Sequence, residues 1–163
     1  MVSLQVEDLK GFTAGLFVGE LFDEWLIREA DIVTFNHFTI DGRIRRGYFS
    51  EEEIEEGKIG ELSSWNKIKP FCYSLIKGKK LPESFHITLQ LSPKQTEIFL
   101  NHGNMEIREE QIGGLYLNIR YENHRLSCVT GTSLKIFTLD KQLDFEWDES
   151  VRRFFKEKKI AFL

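Results

Sequence analysis

Little in this chain points to covalent staples, metals or membranes. Its two cysteines, Cys72 and Cys128, belong to no Cys-x-x-Cys pair and have apolar neighbours. They are expected to be buried thiols in a reducing compartment, not a disulfide or a metal site. Proline is scarce, at three residues, and no stretch rich in Pro, Gly or Ser separates one part of the chain from another. A single domain over residues 1–163 follows, large enough to bury a core without staples. No apolar run approaches the roughly 18 residues of a membrane span, so no membrane partner is expected. Met1 to Glu7 has neither a basic n-region nor a long apolar stretch, which argues against a secretory leader and for a cytoplasmic chain. An excess of basic charge is also missing. With a net charge of −4 there is no global field to draw in nucleic acid, which gains no support as a partner. A Gly-x-x-x-x-Gly-Lys loop, a His-Glu-x-x-His helix and a Cys/His cluster are all absent, so neither metal nor cofactor is expected.

What is present is an aromatic-rich globular sequence. Fourteen phenylalanines imply a large core. Leu4-Gln5-Val6 reads as a strand ahead of a helix from Glu7 to Phe17, whose Leu9, Phe12 and Leu16 share one face. Ile32 to Ile40 is rich in β-branched and aromatic residues. Asp41-Gly42 then offers a type I′ turn, with Arg43 to Phe49 returning as an exposed partner strand. The acidic run Glu51 to Gly57 reads as a solvated loop or short helix. Pro70 to Lys77 alternates as a strand, with a helix opening at Pro70 as the alternative. Ser84 to Leu91 is a strand, and Ser92-Pro93 caps a helix that ends at His102-Gly103. An antiparallel meander follows, with strands at Leu115–Tyr121, Arg125–Val129 and Leu134–Thr138 and turns at Glu122–His124 and Thr130–Thr132. Trp147, Val151, Phe154 and Phe155 mark a last helix, and Ile160 to Leu163 form an apolar tail expected to dock on the body.

The fold class is therefore α+β, an antiparallel sheet with about three helices. The chain can also be read as two repeated strand–helix–strands units, residues 3–49 and 84–138. That order of elements resembles the DNA sliding-clamp fold, which implies a ring-forming or partner-docking protein. Clamp helices carry Lys and Arg to meet phosphate, whereas here the first helix has only Lys10 and the second only Lys94. The resemblance thus implies a binding scaffold more than a DNA ring. Gln142-Leu143-Asp144-Phe145 is similar to the short peptide with which bacterial proteins dock onto a clamp.

Two triplets carry a different chemistry. His37-Phe38-Thr39 and His86-Ile87-Thr88 each place an imidazole and a hydroxyl on one side of a strand. Facing a common cleft, two such pairs grip a phosphate, with one His as base, the other as acid, and the threonines bonding the non-bridging oxygens. The pattern resembles the two-histidine phosphoesterase family, which implies acid–base roles for His37 and His86 and phosphate binding by Thr39 and Thr88. The competing reading is two half-buried strand histidines. Arg43, Arg45 and Arg46, with Lys77, Lys79 and Lys80, form a candidate basic patch if the hairpins converge; two solvated turns are the alternative.

Finally, Thr34 to Gly42 and Pro70 to Lys80 resemble signature stretches of an uncharacterised bacterial family of similar length, a domain of unknown function. The functional expectation is a non-enzymatic binding or assembly module that engages a protein partner or a second copy. A small two-histidine phosphoesterase is the alternative.

Overall fold

Alternation of apolar and polar residues is carried furthest by the strands at the centre of the sheet, where one side must be dry. In the computed structural model, which describes residues 1–163, six strands form one antiparallel sheet. They are β1 (Ser3–Gln5), β2 (Leu26–Val33), β3 (His37–Asp41), β4 (Ser84–Gln90), β5 (Ile112–Glu122) and β6 (Arg125–Leu134), in the spatial order β1-β6-β5-β4-β2-β3. Ile27, Ala30 and Ile32 of β2, Phe85, Ile87 and Leu89 of β4, and Leu115, Leu117 and Ile119 of β5 all fall on one face and are buried. Five helices accompany the sheet: α1 (Leu9–Phe17), α2 (Glu51–Glu55), α3 (Trp65–Ile76), α4 (Pro93–His102) and α5 (Gln142–Glu157). Phe12 and Leu16 of α1, Trp65 and Cys72 of α3, Phe99 of α4, and Trp147 and Phe155 of α5 join the same apolar cluster. The class is α+β, with more helices than the three expected.

Local chemistry explains the helices. Asp8 caps α1 by accepting from the Gly11 N–H at 3.0 Å, and Ser92 caps α4 by accepting from Gln95. Ser50 and Glu53 exchange a reciprocal capping box around the acidic α2. Along α5, Leu143, Trp147, Val151 and Phe155 recur every four residues and all lie in the core. The Trp147 indole donates to the Tyr116 carbonyl at 3.0 Å, fixing α5 to β5. Trp65 donates to the Leu16 carbonyl at 2.8 Å, and the buried Lys69 bonds the Gly19 carbonyl at 2.7 Å and the Asp23 carboxylate, tying α3 to the turn after α1. The apolar tail does dock: Leu163 and Gln5 exchange backbone hydrogen bonds at 2.9 and 3.2 Å along the outer edge of β1.

Five sequence expectations are corrected. The first hairpin turns at Thr34–Asn36, where the Thr34 N–H donates to the Asn36 carbonyl at 2.9 Å, and not at Asp41-Gly42. Neither Asp41 nor Gly42 has the positive φ of a type I′ turn. Gly42 instead continues the pairing with β2 so closely that a Cβ there would lie 1.8 Å from the Ile27 carbonyl oxygen. Arg43 to Phe49 is accordingly no return strand but an irregular segment with a 3₁₀ turn at Arg46–Tyr48. Pro70 lies inside α3, because Trp65, Ile68, Lys69 and Cys72 supply a helical stripe that outweighs the period-two alternation downstream. β6 runs unbroken through Thr130-Gly131-Thr132, because the Thr130 hydroxyl is held in the core by the Val2 N–H at 2.8 Å and by Asp148. No third meander strand follows it.

The sheet order also separates the two proposed repeat units. β4, β5 and β6 are successive neighbours, whereas β1 lies at one edge and β2 and β3 at the other. The strand before the helix pairs with the strand after it in the second unit only, so the units are not equivalent in their pairing. The clamp-docking peptide is likewise unsuited to its role in this fold: Gln142–Phe145 is helical, and Leu143 is in the core.

Candidate functional site

Every core side chain contributed by the central strands points to the helix side. The opposite face, which carries the intervening residues, is polar and has no helix packed on it. The register places Thr39, Asp31, His86, Arg120 and Ser127 in one row across β3, β2, β4, β5 and β6. A second row holds Asp41, Glu29, Thr88, Asn118 and Val129, and His37 stands beside Val33 one step toward the hairpin turn. Both His-x-Thr triplets therefore lie on the same open face, as two-residue periodicity allows.

Asp31 stands between them. Its Oδ1 accepts from the Thr39 hydroxyl and pairs with His37 Nε2, both at 2.9 Å. Partial burial pushes its pKa up, but the hydrogen bonds from Thr39 and His37 and the charge of the His37 and His86 imidazoles outweigh this, and the net shift is downward. Thr88 is buried, and its hydroxyl donates to Asn118 Oδ1 at 3.0 Å. Asn118 in turn donates to the Val129 carbonyl at 3.2 Å. His86 Nε2 is shielded from solvent and has no hydrogen-bond partner. With β2 interposed, Thr39 and His86 stand about 10 Å apart at Cα, two interstrand spacings. The triplets share a face but are separated by a carboxylate that already holds one member of each chemical kind, an imidazole and a hydroxyl.

Several members of this face belong to no motif of the sequence. Tyr116, Asn118 and Arg120 stand at the polar alternates of the strand expected over Leu115–Tyr121, whereas Asp31 lies just ahead of the strand expected from Ile32 and carried no such signal. Arg28 was not legible, because it arrives by an irregularity in register between Ile27 and Glu29. Its guanidinium bonds Gln90 Oε1 at 3.2 Å and lies 5.4 Å from the Tyr116 ring centroid.

The six candidate basic residues do not converge. Arg43 and Arg45 both bond the Asp41 carboxylate, at 2.9 and 3.0 Å; the side-chain and backbone hydrogen bonds from Arg43, followed by the charge of both guanidiniums, hold the Asp41 pKa down at about 2. Arg46 donates to the Ile59 carbonyl at 3.1 Å. Lys77, Lys79 and Lys80 lie between α3 and β4, at the end of the sheet where Ser84 pairs with Val33. Arg43 adjoins the far end of β3. The length of β3, on the order of 15 Å, separates the two groups.

Cys72 and Cys128 are buried and free, and desolvation pushes the Cys72 thiol up to about 12 and Cys128 upward as well. No three His, Cys, Asp or Glu side chains are arranged to hold a metal ion. No helix is long and apolar enough to cross a membrane. A concavity of about 730 Å³ is an open groove between α4 and α5 with Trp25, Phe99 and Trp147 in its wall, and it includes neither triplet.

A family model described as a family of unknown function, DUF5721, matches residues 15–163. The chain belongs to DUF5721. No curated protein and no solved structure matches it. The matched region of this DUF5721 chain includes all of β2 to β6 and hence both triplets, Asp31 and Arg120.

Proposed function

We propose that residues 1–163 act as one domain and that this domain is a non-enzymatic binding module, whose open sheet face receives a protein partner. The observation that carries the reading is the asymmetry of the sheet, packed by helices on one side and lined on the other by hydrogen-bonding side chains. Arg120, Glu29 and Thr39 are exposed there, and Gln90, Asn118 and Tyr116 are half-exposed. The face mixes acids and bases, which suits a polar protein surface better than a polyanion. A photoreactive residue at Arg120, compared with one at the exposed Lys94 on α4, tests the reading inside cells that make the protein. The module predicts a discrete protein adduct from position 120 and none from 94. Equal yields from both positions, or none from 120, would contradict it.

The phosphoesterase reading gains support from the two triplets sharing one face. Against it, Asp31 fills the space between them with negative charge, which repels a phosphate, and His86 Nε2 is shielded. The module predicts no hydrolysis of a 2′,3′-cyclic phosphodiester. Turnover by the native chain that disappears in His86→Ala would replace the module with the enzyme.

A further inference from the structure

The two edges of the sheet are treated differently. At β1 the edge is covered, because Leu163 and Gln5 exchange backbone hydrogen bonds and the Glu7 N–H donates to the Ala161 carbonyl at 3.0 Å. At β3 the strand order places nothing beyond His37–Asp41. An uncovered edge normally carries a device against further pairing, such as Lys, Pro or a bulge. Residues 37–41 contain neither Lys nor Pro, and their register with β2 is unbroken.

The phase of this edge is fixed. The Gly42 N–H donates to the Arg28 carbonyl at 2.8 Å, and the Thr34 N–H donates to the Asn36 carbonyl at 2.9 Å. Antiparallel pairs alternate between bonded and non-bonded. Ile40 with Ala30 and Phe38 with Ile32 are therefore the bonded pairs inside the chain. The backbone N–H and C=O groups of His37, Thr39 and Asp41 turn outward, to the open edge.

We propose that β3 pairs antiparallel with the β3 of a second copy, centred on Thr39, joining two six-stranded sheets into one. The five residues His37-Phe38-Thr39-Ile40-Asp41 are complementary to their own reverse about that centre. His37 meets Asp41 of the second copy, Phe38 meets its Ile40, and Thr39 meets its Thr39. These are base with acid, apolar with apolar, and a Thr–Thr pair, all favourable cross-strand neighbours. Outward backbone groups on both strands fall opposite one another in this register. Centring on His37 or Asp41 keeps the phase but sets like residues, two imidazoles or two carboxylates, against each other. Centring on Phe38 or Ile40 also keeps the phase, but it sets His37 or Asp41 opposite Thr39 and loses the pairing of base with acid. The ribbon is short, so the dimer dissociates on dilution.

Sedimentation velocity on the full chain across a concentration series tests this, together with oxidation of two cysteine variants. The native chain is expected to shift with concentration from 19.2 kDa to twice that mass. Thr39→Cys is expected to form an intermolecular disulfide, since paired Cα atoms lie about 5.5 Å apart in a bonded pair. Asp41→Cys is the control, because its counterpart in the second copy is roughly 13 Å away along the strand. The native thiols are buried and do not compete. A native chain that stays monomeric throughout overturns the proposal. So does a dimer in which Thr39→Cys links no faster than Asp41→Cys.

Discussion

Asp31 is the residue on which the open face turns, because one carboxylate oxygen serves both His37 and Thr39. Its folded pKa lies below its ordinary value of 3.8. The unfolded chain therefore takes up this proton first as acid is added. The stabilisation from Asp31 is fully present above the unfolded value and is lost as pH falls through the folded one. Asp31→Asn is expected to flatten the acid limb of a stability-versus-pH curve measured by urea unfolding, leaving its slope above neutral pH unchanged. A second residue-scale test concerns backbone approach. Gly42→Ala forces a Cβ against the Ile27 carbonyl, where nothing flexible can yield. It is expected to lower stability by about 2 kcal/mol, as overpacking commonly does, read as a reduced urea midpoint with an unchanged m-value. Asp41-Gly42 was legible as a place where glycine is required, but the reason differs. The need is close contact with β2, and a turn dipeptide looks identical to a close-approach dipeptide until the partner strand is known.

Among the elements, those with a single strong period were legible. The buried faces of β4 and β5, the Ser92-Pro93 start of α4 and the four-residue stripe of α5 all follow from local pattern and capping. The Asn123-His124 turn was also legible, and both residues have positive φ, as a tight two-residue hairpin requires. α3 was not, because its apolar stripe begins at Trp65, ahead of a proline that punctuates the sequence without ending the helix. Pro70 removes one backbone donor from the helix interior. Pro70→Ala restores a donor for the Asn66 carbonyl, and after allowing for a looser unfolded chain it is expected to raise stability by about 1 kcal/mol. Chemical denaturation measures this, and a clear loss of stability would indicate that the proline is held in a conformation α3 needs.

On the scale of the whole molecule, the sequence pointed to an antiparallel α+β fold but could not rank the strands in space. Pairing of β1 with β6 and of β4 with β2 joins segments distant in the chain, and short-range periodicity carries no information about which distant strands meet. The two His-x-Thr triplets were visible from the start, yet their common face became apparent only when β2 was found between them, bringing Asp31 with it. That row of side chains, on a face without helices, is the foundation of the binding role. Interstrand nuclear Overhauser contacts in the isotope-labelled chain test it most directly. The prediction is a backbone contact between Thr39 and Asp31 and another between Asp31 and His86, in the register of a β3-β2-β4 sheet. A missing contact on either side of Asp31, or contacts placing β4 next to β3, would contradict the account.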